Sequence, residues 1–173
     1  LDGERFETWL ARCHPLPPWL ALQTARQLAE GLCALSAHPR LLAGVQLGNS
    51  GIMLTGDQPS DLTARICDLG LSAPPPRQTD PRAVEARLTH DMARLIGYML
   101  TGIQAEPGQE TSAGGHSALS AELSFLLNTL QQPGMPHHPR TLEQLRALLD
   151  RCSQDLLSDP SVLPDRIPPA IRP

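Results

Sequence analysis

Leu47-Gly48-Asn49-Ser50-Gly51-Ile52-Met53-Leu54, followed a short loop later by Ile66-Cys67-Asp68-Leu69-Gly70-Leu71-Ser72, is the part of this chain whose reading decides its fold. Short apolar runs bordered by Gly, Asn, Asp and Pro have the length and flanks of short strands. Ile52-Met53-Leu54 and Ala64-Arg65-Ile66-Cys67 are two such runs, and Thr55-Gly56-Asp57-Gln58-Pro59-Ser60-Asp61 has the turn chemistry to join them. The expectation is a small β-hairpin with Asp68-Leu69-Gly70 at its exit. Leu41-Leu42 shares the same rhythm and reads as a further short strand.

Outward from the hairpin the pattern is helical. On the N-terminal side, Arg5 to Arg12 carries Phe6, Trp9 and Leu10 on one side. After His14-Pro15-Leu16-Pro17-Pro18, a longer helix from Trp19 to about Ala37 places Leu22, Ala25, Leu28, Ala29, Leu32 and Leu35 on one stripe. Pro18 near its first turn is where a helix tolerates proline. On the C-terminal side, Ala73 to Pro81 is too rich in proline for regular structure. Helical spacing returns with Val84, Leu88, Met92, Leu95, Ile96, Met99, Leu100 and Ile103, the stripe of a well-buried helix that stops near Gly102. Residues 105–117 read as a flexible insert, and Ser120 to Gln131 as another amphipathic helix. Thr141-Leu142-Glu143-Gln144 fits a capping box opening a helix that ends near Cys152. Five prolines among the fifteen residues from Asp159 onward indicate that residues 153–173 form a tail or linker.

Composition excludes several functions. With 173 residues the chain has room for one ordinary domain, here residues 1–152. All 14 basic residues are Arg, and the formal net charge is -4, so no basic block suggests a nucleic-acid groove or an anionic membrane surface. An aromatic content of 3% leaves almost nothing on which to stack bases. No apolar run approaches the roughly 18 to 20 residues of a bilayer span, and the first residues lack a basic stretch followed by an apolar one. A soluble segment is expected. Cys13, Cys33, Cys67 and Cys152 form no C-x-x-C pair, which points to reduced thiols in a cytosolic or nuclear setting. His137 and His138, in a Pro-rich loop, read as solvated side chains.

Short helix, long helix, hairpin with Asp68-Leu69-Gly70 at its exit, loop, buried helix and two further helices resembles the C-terminal lobe of the protein-kinase superfamily. The resemblance covers about Leu1 to Cys152 and implies a mainly α fold with one small β-hairpin, the N-terminal lobe being absent from this segment. It places Leu1-Asp2-Gly3-Glu4 at or just after the hinge. His90-Asp91-Met92-Ala93-Arg94-Leu95-Ile96-Gly97-Tyr98 resembles the start of the family's central helix. Asp91 then matches the buried aspartate that holds the catalytic-loop backbone, a structural role. Read from the residues alone, Asp91 is an acidic residue favoured near a helix N-terminus, with Thr89 as its cap.

The departures from the family decide the chemistry that the resemblance implies. Asp68 matches the metal-binding aspartate, with magnesium as its ion, and Gly70 the glycine after it, so these two stand for ATP and magnesium binding. Gly44-Val45-Gln46 falls on the family's His-Arg-Asp, placing Gln46 where the catalytic aspartate belongs. Gly48 stands in place of the catalytic-loop lysine and Gly51 in place of the second metal ligand. Arg140 has no recognisable glutamate to pair with, because the activation segment lacks an Ala-Pro-Glu. Phosphoryl transfer needs metal ligands, a residue that orients the hydroxyl, and positive charge on the phosphates. Three readings follow. The first is a catalytically impaired lobe, a pseudokinase, that needs no cofactor and works on a protein partner or an adjacent domain of the same chain. The second is an ATP-binding kinase of weak or unconventional activity that requires an upstream lobe. The third is an unrelated helical interaction domain in which Asp68 is a turn residue.

Overall fold

The structure, a computed structural model, describes residues 3–13, 15–47, 51–56, 61–67, 69, 80–102, 121–132 and 137–157. Asp68, Gly70, the expected insert at 105–117 and the chain from 158 onward lie outside the described residues. The order along the chain is β1 (Glu4–Arg5), α1 (Phe6–Cys13), α2 (Pro18–Leu35), α3 (Pro39–Gly44), β2 (Ile52–Thr55), β3 (Thr63–Ile66), α4 (Pro81–Thr101), α5 (Ala121–Gln131) and α6 (Leu142–Leu157). The fold is mainly helical, as the sequence pattern requires.

Each long helix begins at a residue that settles the first-turn N–H groups. Pro18 at the start of α2 has no N–H to leave unpaired. For α4, Asp80 accepts the Arg82 N–H on its side chain at 3.1 Å, and Pro81 follows as the first helical residue. This start lies upstream of the one expected from Thr89. Asp91 sits well inside α4 and does not open it, because Asp80-Pro81 is the stronger start signal. The helix ends at Gly102, whose φ of 69° is the left-handed conformation that closes helices, and its N–H donates to the Tyr98 carbonyl at 2.8 Å. The expected capping box opens α6. Thr141 Oγ1 accepts the Gln144 N–H at 3.2 Å, while Gln144 Oε1 reaches one residue beyond the usual partner to the Arg140 N–H at 2.8 Å. Past Cys152 the helix continues to Leu157, so residues 153–157 belong to it and not to the tail.

The expected hairpin is present, and it belongs to a larger sheet. β2 and β3 pair antiparallel, with Ile52 opposite Ile66 and Leu54 opposite Ala64. β1 adds a third antiparallel strand on the other edge of β2, with Glu4 opposite Leu54. A strand this short carries no alternation that a sequence pattern could reveal. Its approach depends on Gly3, where a Cβ would stand 2.7 Å from the Leu54 carbonyl oxygen. The second correction is Leu41-Leu42, which lies in α3 and not in a strand. Pro39 sets the first turn, and the His38 carbonyl accepts the N–H groups of Leu41 and Leu42, each at 3.0 Å.

α4 packs against α2, α3, α5 and α6. Leu88, Met92, Ile96 and Met99 on α4 are each fully buried, as are Leu20, Leu28 and Leu32 on α2 and Leu126, Leu127 and Leu130 on α5. Truncating one such leucine to alanine costs about 2–5 kcal/mol. Of these, the sequence spacing marked Leu28 and Leu32 on α2 and all four on α4, whereas Leu35 and Leu95 of the same stripes are only half-buried. Two polar ties position the sheet and the helices on this core. The Gln27 amide of α2 donates to the Leu62 carbonyl at 3.0 Å and accepts the Ala64 N–H at 2.7 Å. The Leu16 N–H donates to the Met99 carbonyl at 2.7 Å, satisfying a last-turn carbonyl of α4.

Candidate functional site

The two stretches that carry the sequence reading meet in space. β2 begins directly after Gly51, whose carbonyl accepts the Cys67 N–H at 2.8 Å. Val45, at the end of α3, forms an isolated antiparallel bridge with Leu69. Residues 67 and 69, the chain neighbours of Asp68, are thus tied to residues 51 and 45, on either side of the loop that follows α3. Gln46 is exposed, Val45 beside it is fully buried, and Gly51 is buried at the entry to the sheet. Asp68, Gly70 and Gly48 are outside the described residues.

The end of α3 is held to α4 by Arg87. Its guanidinium donates from Nη1 to the Val45 carbonyl at 3.0 Å and from Nη2 to the Ala43 carbonyl at 3.2 Å. Asp91, one turn along α4, stands behind the clamp, with Oδ2 3.3 Å from Arg87 Nη1. The donors that reach the Ala43 and Val45 carbonyls therefore belong to Arg87, and Asp91 meets that clamp through its pairing with Arg87. A guanidinium suits this task because its planar fork can serve two carbonyls and a carboxylate together. Sequence reading missed Arg87. Its signal was the four-residue Arg-to-Asp spacing on one helix face. Arg140 lies on the surface at the entry to α6, where its backbone N–H takes part in the cap.

The cysteines are free thiols, and three of them are held protonated. Burial pushes the Cys33 thiol up to about 11, the nearby Glu143 carboxylate adds to the shift, and Arg146 opposes it. Burial likewise raises Cys13 and Cys152. Since the thiolate is the nucleophile, these three are poor candidates for covalent chemistry at neutral pH. Cys33 instead marks a junction of three helices, because Glu85 of α4 accepts the Leu142 N–H at the head of α6 at 3.4 Å. His138 is no solvated side chain: its Nδ1 lies 3.0 Å from the Thr129 carbonyl oxygen, which makes Nδ1 the protonated nitrogen. Among the described residues no three His, Cys, Asp or Glu side chains are grouped to hold a metal ion.

The site thus combines an exposed amide at Gln46 and a glycine at 51 with the strand exit that leads to Asp68. Gln46 cannot take a proton from a hydroxyl at neutral pH, since an amide has no basic nitrogen. Among the described residues no helix is long and apolar enough to cross a membrane. Comparison of the chain with known protein families and with curated proteins finds no match.

Proposed function

We propose that this chain is a degenerate protein-kinase-like C-terminal lobe that acts as a protein-interaction or allosteric module. The observation that carries the reading is the Val45–Leu69 bridge, reinforced by the Gly51–Cys67 hydrogen bond. A kinase-like lobe requires its catalytic loop and its metal-binding loop to meet beside the hairpin, and these contacts bring the corresponding stretches together. Helix order supports it as well, with the buried α4 following the hairpin exit. The chemistry does not accompany the geometry. Where phosphoryl transfer needs a carboxylate, a lysine and a second metal ligand, this sequence has Gln46, Gly48 and Gly51. Asp68 and Gly70 are the remaining positions through which ATP and magnesium would bind. A surface held in shape without the reacting groups serves recognition, and its output belongs to a protein partner or an adjacent domain.

The test is a thermal-shift titration with ATP and magnesium, on the chain alone and on the chain joined to whatever sequence precedes it. No shift is expected in either. A shift of several degrees that disappears in Asp68→Ala would overturn the impaired-lobe reading and favour nucleotide binding by an unconventional kinase.

A further inference from the structure

A trough of about 370 Å³ lies where α2 meets α6, lined by one face of α2 from Trp19 to Glu30 and, from α6, by Ser153. That volume is at the small end of the range for small-molecule pockets. Its apolar end is Trp19, half-buried, with the fully buried Leu22 one turn further along the helix. From Trp19 to Arg26 the helix rises about 10 Å, room for one ring and a short polar group.

The charged groups that line the trough are already paired within the protein. Arg26 Nε donates to Asp150 at 2.6 Å, and Arg26 Nη2 lies 3.8 Å from Glu30. An anion would therefore meet two carboxylates beside the one guanidinium. The polar groups that remain are uncharged. Gln27 holds the Leu62 carbonyl and the Ala64 N–H and keeps one N–H and one lone pair of its amide. Ser153, one turn past Asp150 on α6, is only 7% exposed, and its Oγ has no hydrogen-bond partner. Buried polar groups are nearly always paired, so an orphan hydroxyl in the wall of a cavity points to a polar atom that belongs there.

We propose that this trough is a small-molecule site for an uncharged aromatic carboxamide, the ring seated against Trp19 and Leu22 and the carboxamide turned to Ser153 Oγ and the free positions of the Gln27 amide. A carboxamide carries a donor and an acceptor without charge, which is what these two residues can answer. The flat ring suits the indole, since aromatic faces stack offset on one another. A carboxylate in its place would lie beside Glu30 and Asp150, and a plain hydrocarbon would leave the Ser153 hydroxyl orphaned. The proposal stands apart from the kinase-like reading, because no lining residue belongs to the two stretches that carry that reading.

Titration of the full chain with benzamide, followed in proton–nitrogen NMR spectra, tests the site. The Trp19 indole N–H and the Gln27 side-chain amide are expected to shift saturably, while the indole N–H of Trp9, buried against α1, stays in place. Benzoate, benzamidine and ethylbenzene should each bind at least about tenfold more weakly than benzamide, because each loses the charge match or the hydrogen bonds. Ser153→Ala should weaken benzamide about fivefold, the loss of one neutral hydrogen bond, and Trp19→Ala should weaken it further. Unchanged α4 resonances report that each variant is folded. Absence of saturable shifts with benzamide overturns the proposal, as does benzamide binding unaltered by Ser153→Ala. Equal or tighter binding of benzoate, benzamidine or ethylbenzene overturns it too, by assigning the trough to an anion, a cation or a hydrocarbon.

Discussion

Replacing Arg87 with methionine removes the clamp on the loop after α3 while leaving an apolar stem in place. Two charge-assisted hydrogen bonds are lost, to the carbonyls of Val45 and Ala43. The Val45 residue is fully buried, so its carbonyl is left without a donor at a cost of about 1–3 kcal/mol. Ala43 is only half-buried, and water can replace its bond at little cost. Arg87 itself is 40% exposed, which discounts the contribution of its charge. The expected destabilisation is about 2 kcal/mol, or a melting temperature lower by about 4–8 °C for a chain of this size. Asp91→Asn removes only an i,i+4 ion pair and should cost no more than about 0.5 kcal/mol. Urea unfolding followed by circular dichroism measures both, and the double variant should match Arg87→Met alone, because Asp91 acts through Arg87. The reasoning is refuted if Asp91→Asn destabilises as much as Arg87→Met, since Asp91 would then hold the loop directly.

Gly56→Ala should destabilise the hairpin by about 1–3 kcal/mol, read as a lower urea midpoint. Gly56 has φ 119°, and its added Cβ would lie 2.5 Å from the Asp61 carbonyl oxygen. For pH, the folded-state pKa of Cys33 is raised from 9.0 to about 11, so the protonated thiol contributes stability that is complete below about 9 and is lost as pH rises through about 11. Urea midpoints between pH 8 and 11 should therefore fall less steeply in Cys33→Ala than in the unmodified chain, and equal slopes would reject the assignment.

Long helices were legible because each of their buried stripes repeats within a few residues. Leu88, Met92, Ile96 and Met99 mark the core face of α4 through their spacing alone, and every one is fully buried. What the sequence concealed was set by partners distant in the chain. β1 exists because Gly3 lets its strand approach Leu54, a pairing that no two-residue stretch announces. Leu41-Leu42 looked like a strand because two adjacent apolar residues fit either period, and Pro39 decided for helix. Similarly, the Val45–Leu69 bridge and the Arg87 bonds each join residues far apart in sequence. The sequence reading singled out Asp91 and overlooked Arg87, one turn before it on α4.

Under the proposed kinase-like reading, the same long-range contacts bear on why one substitution should not restore phosphoryl transfer. Gln46→Asp would supply a carboxylate on the exposed loop after Val45. That group could accept a hydroxyl proton, yet it would face no lysine at Gly48 to meet a phosphate and no second metal ligand at Gly51. Catalytic groups that act as a unit are far from additive, so restoring one of three gains little. The Arg87 clamp and the Val45–Leu69 bridge would still hold the loop, because both bind through backbone atoms and are indifferent to the side chain at 46. Shape and chemistry are thus carried by separate atoms in this site. Under the proposed reading, that separation would let a recognition surface persist without the reacting groups, because the loop is held through its backbone whatever side chain stands at 46.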